Sequence, residues 1–238
     1  VAIVGASELA NSVGAQVLRN MREGGFAGEI YPVNAKHETI QGLKAYASIK
    51  DIDHPIDLVV IAIPAPAIPS VMHECGEHGV GAAVVLSAGF AEIGKRGEFL
   101  QHEIVDIART YDIPLVGPNC LGVIRPRVGL NATFAKSGVP TGQVALVAQS
   151  GAFCTALLDW AEAKGFGFSA VASLGATLAI SSRSLPVAGA EPMRPRPAPR
   201  WCTTRLSARF SLSSSVSARA FSTTWATASK LMGLVRKW

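Results

Sequence analysis

The sequence predicts an α/β protein built on a doubly wound parallel sheet. Five apolar, β-branched runs precede residue 120, and each closes on Gly, Pro, Ser or Asn. The stretches between them carry apolar residues at helical spacing. Strands that are apolar throughout belong to parallel sheets covered on both faces, since only there does every position gain from burial. The implied βαβαβαβαβ order uses right-handed crossovers, with helices on both sides of one sheet. Charge supplies a third observation. Residues 1–177 hold 12 Lys/Arg against 16 Asp/Glu, and residues 178–238 hold 10 against 1. The net +5 therefore comes from the tail, and the body offers no broad electrostatic footprint for a nucleic acid.

Each element follows from a short stretch of sequence. "VAIVGA" is the first strand, and Val13, Val17, Leu18 and Met21 stripe the helix after it. "EIYPVN" is the second strand and "IDLVVIAIP" the third, followed by a helix marked by Ile68, Val71, Met72 and Cys75. "GAAVVLSAG" is the fourth, with Leu100, Ile104, Ile107, Ala108 and Tyr111 striping the next helix, and "IPLVGPN" is the fifth. A second unit opens near Gly142: strand "QVALVAQSG", a helix with Phe153, Ala156, Leu157, Trp160 and Ala161 on one face, and strand "FSAVASLG". Two strands and a helix cannot enclose a core, so this unit reads as the start of a larger α/β domain. The division expected is 1–135, 142–177 and a tail, 178–238.

The tail holds 11 Ser, 5 Pro and three of the four Trp, without a sustained period of 2 or 3.6. Such composition rarely folds. It reads either as a basic, disordered linker or as the product of a shifted reading frame, and the unfinished second unit favours the frameshift. The chain opens inside an apolar strand without Met, which reads as a truncated start. Its longest uncharged run is broken by Pro64, Pro66 and Pro69, so no membrane span is expected, and the cytoplasm is the default compartment. Cys75, Cys120, Cys154 and Cys202 are widely spaced and form no CxxC pair, which argues against a metal site or a disulfide framework.

Ligands of open parallel sheets sit beyond the carboxyl ends of the strands. At the first end, "GASELANSVG" offers Gly5, Ala6, Ser7, Val13 and Gly14, either as a tight strand-to-helix turn or as a loop whose amides approach a phosphate. At the second, Asn34 and Lys36 stand where many dinucleotide sites present a carboxylate. A ribose bearing an extra phosphate fits this pair better than plain NAD, so NADP and coenzyme A both qualify; a solvated loop lysine is the plainer alternative. The third end, with Pro64 and Ala65, and the fourth, with Ala88 and Gly89, supply no His, Lys or Tyr for hydride transfer, and an apolar groove there suits a pantetheine arm. Asn119 and Cys120 emerge at the fifth, Cys120 as a lining residue or a buried filler rather than a nucleophile. In the second unit Ser150, Gly151 and Ala152, after Gln149, open a helix whose free amides and dipole suit a phosphoryl group or acyl phosphate; Ser150 also serves as a plain N-cap. No residue is assigned a catalytic role.

Together "VAIVGAS", "IYPVN", "DLVVIAIPA", "SAGF", "GPNCLG", "LNATFA" and "QSGAFCTALLDWA" resemble the NDP-forming acyl-CoA synthetases, the superfamily of succinyl-CoA synthetase α subunits and ADP-forming acetyl-CoA synthetases. The resemblance covers about residues 1–177. Ala148 departs from it, standing where the family often has Ser. It implies a Rossmann-like CoA-binding domain followed by the start of a flavodoxin-like succinyl-CoA-ligase domain. It also implies a reaction: acyl-CoA, ADP and phosphate exchange with free acid, CoA and ATP through an acyl phosphate and a phosphohistidine. Coenzyme A, ADP or ATP with Mg, phosphate and a small carboxylic acid are the implied ligands, and an ATP-grasp domain or subunit is the implied partner. An oligomer is possible in such a family. The last histidine is His102, so the phosphohistidine segment is missing and the chain alone is expected to be inactive. Two rivals stay open: an NADP-dependent oxidoreductase, and a non-catalytic CoA or nucleotide sensor.

Overall fold

The computed structural model describes residues 1–136 and 138–176. The tail expected over 178–238 lies outside the described residues. In chain order the elements are β1 (Ala2–Val4), α1 (Val13–Glu23), β2 (Tyr31–Val33), β3 (Thr39–Ile40), β4 (Leu43–Lys44), β5 (Val59–Ile61), α2 (Ile68–His78) and β6 (Ala83–Val85). There follow α3 (Lys95–Thr110), β7 (Leu115–Val116), β8 (Gly122–Arg125), β9 (Leu130–Thr133), β10 (Thr141–Ala148), α4 (Gly151–Lys164) and β11 (Phe168–Ser173).

The first sheet has the order β2-β1-β5-β6-β7, with every neighbouring pair parallel. Chain order reverses direction between β1 and β5, the crevice position of doubly wound sheets. Alternation along β1 sends Ala2 and Val4 to one face and Ile3 to the other. The first face buries Ile61, Met72 and Ile104 under α2 and α3; the second buries Val17, Leu18 and Met21 of α1 against Val60 and Val84. Each fully buried aliphatic side chain stabilises the fold by roughly 1.5–3 kcal/mol, which explains why strands of two or three residues persist here.

The alternation of strand and helix fails once. Between β2 and β5 there is no α-helix but the β3–β4 hairpin and a 3₁₀ turn over Ile49–Asp51. Ile40, Ile49, Ile52 and Ile56 bury singly along that segment rather than as one stripe. Gly42 and Pro55 also break it.

The second sheet, β10-β11-β8-β9, draws half its strands from the segment before residue 135. β10 and β11 are parallel, whereas β8 pairs antiparallel with β11 and with β9. One face meets α1 through Val123, Leu130 and Ala132, while the other meets α4 through Leu121, Ile124, Phe168 and Val171. The β8–β9 hairpin thus supplies the layer that two strands and one helix lacked. The face expected for α4 is corrected here. Cys154, Leu158 and Ala161 are buried, whereas Phe153 and Trp160 are 54% and 51% exposed. Apolar residues surround this helix, so spacing alone does not select a face, and the small side chains flanking Leu158 allow a closer approach to the sheet than two large rings.

Candidate functional site

The β1–α1 loop is held by its two glycines and two hydroxyls. Gly5 has φ of +88°, a left-handed conformation that penalises any side chain. A Cβ on Gly14 would run into the Gly5 carbonyl oxygen, so the first turn of α1 can lie against the strand end only with glycine there. Ser12 caps α1, its Oγ accepting from the Ala15 N–H at 3.2 Å. Ser7 Oγ accepts from the Leu9 N–H at 3.0 Å. Ala6 is buried, and Val13 is 40% exposed rather than part of the buried stripe of α1. That stripe begins at Gly14 and Ala15.

At the end of β2, Asn34 works inward. Its Nδ2 donates to the Ala6 carbonyl at 2.8 Å and its Oδ1 accepts from the Lys36 N–H at 2.9 Å. The amide side chain therefore ties two strand-end loops together, and Lys36 is left exposed at the rim. At the end of β5, Pro64 is exposed and Ala65 buried. At the end of β6, Ala88 is exposed, but the Gly89 N–H is engaged: Glu92 Oε1 accepts from it at 2.5 Å and from the Phe90 N–H at 3.2 Å. Burial pushes the Glu92 carboxyl up, yet the amides of Gly89, Glu92 and Phe90 outweigh it and hold the group below its usual range. The amide of Gly89, expected to face a ligand, thus already has an anionic partner.

The segment after β7 joins the two units. Gly117 and Asn119 take φ of +93° and +54°. The Ala176 N–H donates to the Pro118 carbonyl at 2.8 Å, and the Leu121 N–H donates to Ser173 Oγ at 3.2 Å. A Cβ on Gly175 would strike the carbonyls of Pro118 and Asn119, so the close approach needs glycine. Cys120 is 4% exposed, its thiol donates to the Val85 carbonyl at 3.3 Å, and burial pushes its pKa up to about 12. Such a thiol is a donor and a wall, not a nucleophile.

This junction frames a cleft of about 560 Å³. Asn119 and Cys120 line one side; Ser150, Gly151 and Ala152 line the other, where α4 begins. Ser150 caps α4 by accepting from the Phe153 N–H at 3.2 Å. The remaining amides at this end carry the partial positive charge of the helix dipole. Five of the sequence-derived site residues therefore meet in one cavity. The others lie along the strand ends of the first sheet, from β2 to β6. Leu86, Phe134 and Thr155 also line the cleft, without having been singled out from sequence. Phe134 had no signal of its own beyond lying in "LNATFA". None of the five histidines lines the cleft: His37, His54, His73 and His102 are exposed and His78 contacts the Ile52 carbonyl at 2.8 Å. Among the described residues no group of His, Cys, Asp and Glu has the arrangement of a metal site, and no helix is long and apolar enough to cross a membrane.

One further residue at the rim escaped the sequence reading. Gln41, at the tip of the β3–β4 hairpin, reaches the β1–α1 loop, its Nε2 lying 3.1 Å from the Ala15 carbonyl and 3.5 Å from that of Ser7. A non-glycine residue before Gly42 in "IQGL" is the only trace it leaves in the sequence.

Comparison with known proteins agrees with this architecture. The CoA binding domain family matches residues 1–126, and the succinyl-CoA ligase-like flavodoxin domain matches residues 141–186. An ADP-forming acetate–CoA ligase of Methanocaldococcus jannaschii is 45% identical over 175 residues, covering 74% of this chain and 24% of the relative. The α subunit of ADP-forming acetate–CoA ligase I of Pyrococcus furiosus is 39% identical over 179 residues, covering 74% and 39%. A solved structure of a dinucleotide-forming acetyl-coenzyme A synthetase from Ca. Korarchaeum cryptofilum, in complex with phosphate and ADP, superposes with a TM-score of 0.70 at 38% identity, covering 73% of this chain and 38% of that one. The chain thus spans about a quarter to two fifths of the length of these proteins. With both domain matches in the same order and the parallel sheet they require, the chain belongs to the NDP-forming acyl-CoA synthetase superfamily.

Proposed function

We propose that this chain is the CoA-binding portion of an acid–CoA ligase that interconverts acyl-CoA, ADP and phosphate with acid, CoA and ATP. Residues 1–135 form the CoA-binding domain in this reading, and residues 142–177 open the ligase domain. The observation that carries it is the cleft in which the Asn119–Cys120 strand end faces the Ser150-capped start of α4. CoA, when bound, supplies the thiol that attacks an acyl phosphate. The chain's own residues orient the reactants. Amides of the Gly5–Gly14 loop and the Lys36 ammonium hold phosphates at the far end of the rim. Pro64, Ala65 and Ala88 form an apolar path toward Asn119 and Cys120. The amides of Gly151 and Ala152 steady the phosphoryl group. The donor set fits this ligand in part: Asn34 and Gly89 act through the loops they brace, since their polar groups already have partners.

The cleft lining contains no His, Lys, Tyr, Asp or Glu among the described residues, which favours positioning over acid–base chemistry and weighs against an NADP-dependent oxidoreductase. The phosphohistidine and the ATP-grasp domain, with its Mg-bound nucleotide, are in this reading supplied by polypeptide other than these 238 residues, in the same protein or in a partner subunit. The cytoplasm is the compartment it implies. A CoA or nucleotide sensor without ligase activity is the second reading, consistent with a cleft lining that includes none of the five histidines. Calorimetric titration of the full chain with CoA, dephospho-CoA and NADP tests the proposal. Tightest binding is expected for CoA, with dephospho-CoA weaker because it lacks the phosphate assigned to Lys36. Preference for NADP would reject the assignment.

A further inference from the structure

Gln41 occupies an unusual backbone position. Its φ is +49° and that of Gly42 is +77°, two successive left-handed residues joining Ile40 to Leu43 as in a type I′ hairpin turn. Such positions favour Gly, Asn or Asp, and a long side chain held there points to work done by that side chain. Four interactions converge on it. Nε2 donates to the Ala15 carbonyl at 3.1 Å and lies 3.5 Å from the Ser7 carbonyl; its own N–H donates to Glu8 Oε1 at 2.5 Å; and its carbonyl accepts from Arg22 Nη1 at 2.7 Å. Ser7 lies in the β1–α1 loop and Ala15 in the first turn of α1, so the two carbonyls bracket Ser12, Val13 and Gly14. Gln41 therefore spans the loop from outside, and its backbone ties down the carboxylate of Glu8, the one acidic side chain within that loop.

We infer that Gln41 is a positioning residue that clamps the β1–α1 loop in the shape that receives the phosphates of CoA. The inference rests on the CoA reading of this rim. A trans peptide sets a carbonyl and the next N–H on opposite sides, so fixing the Ser7 carbonyl on the hairpin turns the Glu8 N–H away from it. The Gln41 amide also fixes where the Glu8 carboxylate stands relative to the loop. A pre-shaped loop binds without the cost of ordering.

The variants Gln41→Gly and Gln41→Glu separate this role from ordinary structural support. Glycine suits the left-handed turn and removes the side chain; glutamate keeps the length and loses both N–H donors. In the full chain, Q41G is expected to melt at or above the wild-type temperature and to bind CoA about tenfold more weakly, the worth of one to two hydrogen bonds. Its affinity for pantetheine, which has no phosphate, should be unchanged, and Q41E should lose CoA affinity at least as strongly. Wild-type CoA affinity in Q41G, or a loss that falls equally on CoA and pantetheine or tracks a lowered melting temperature, overturns the clamp while leaving the CoA reading intact. A wild-type chain that does not bind CoA overturns both.

Discussion

Gly14, Asn20 and Cys120 each turn a local contact into a measurable consequence. At Gly14 any side chain collides with the Gly5 carbonyl at the end of β1. Gly14→Ala is expected to destabilise the protein by about 2–3 kcal/mol through forced separation of α1 from β1, with chemical denaturation as the check. Asn20 is 5% exposed and its Nδ2 donates to the Thr133 and Ala135 carbonyls at 2.7 and 2.8 Å, joining α1 to the end of β9. Asn20→Leu keeps the volume but strands two buried carbonyls, so a loss of about 2–4 kcal/mol is expected in the same measurement. Burial pushes the thiols of Cys75 and Cys120 up to about 12, above the ordinary value of 9.0. The unfolded chain therefore releases these protons first as pH rises, so their contribution to stability is full below pH 9 and declines from there to pH 12. Denaturation midpoints that fall across this window are expected, with a shallower fall in Cys75→Ala or Cys120→Ala variants.

On the scale of whole elements, α4 separates what spacing determines from what packing determines. Were Phe153 and Trp160 core residues, Phe153→Gln and Trp160→Gln would each cost about 3 kcal/mol or more. Both are half-exposed, so changes within about 0.5 kcal/mol are expected, together with reduced binding of a hydrophobic dye. The exposed edge of β10, where Val144 is 51% exposed, belongs to the same apolar surface class. Strands β1, β2, β5, β6 and β7 were legible because each is apolar through both faces, and α1 to α3 because their stripes recur at helical spacing. The β3–β4 hairpin was not, since its strands have only two residues each and its turn uses Gln-Gly rather than Asn-Gly. The β8–β9 hairpin was missed for a different reason. "GVIRPRVGLNAT" contains Pro126 and two arginines, and its role in bridging α1 to β11 depends on contacts distant in sequence. For the site, glycines and strand ends marked the rim, but the internal uses of Asn34 and Gly89 came only from geometry.

In the molecule as a whole, one parallel sheet sets five strand ends in a row, and spacings of about 4.8 Å between neighbours give a rim roughly 20 Å long from β2 to β7. The rim ends where the second unit is stitched on, through Ala176 to Pro118 and Leu121 to Ser173, so the start of α4 stands beside Cys120. In the proposed function CoA lies along this line, phosphates at the Gly5–Gly14 loop and thiol in the cleft. Amide hydrogen exchange of the full chain with and without CoA tests it most directly. The expected result is added protection at residues 5–16, 117–121 and 150–154, with β3–β4 following through Gln41. Binding of CoA with no added protection at the β1–α1 loop, or with protection confined to the helix faces away from the strand ends, would contradict it.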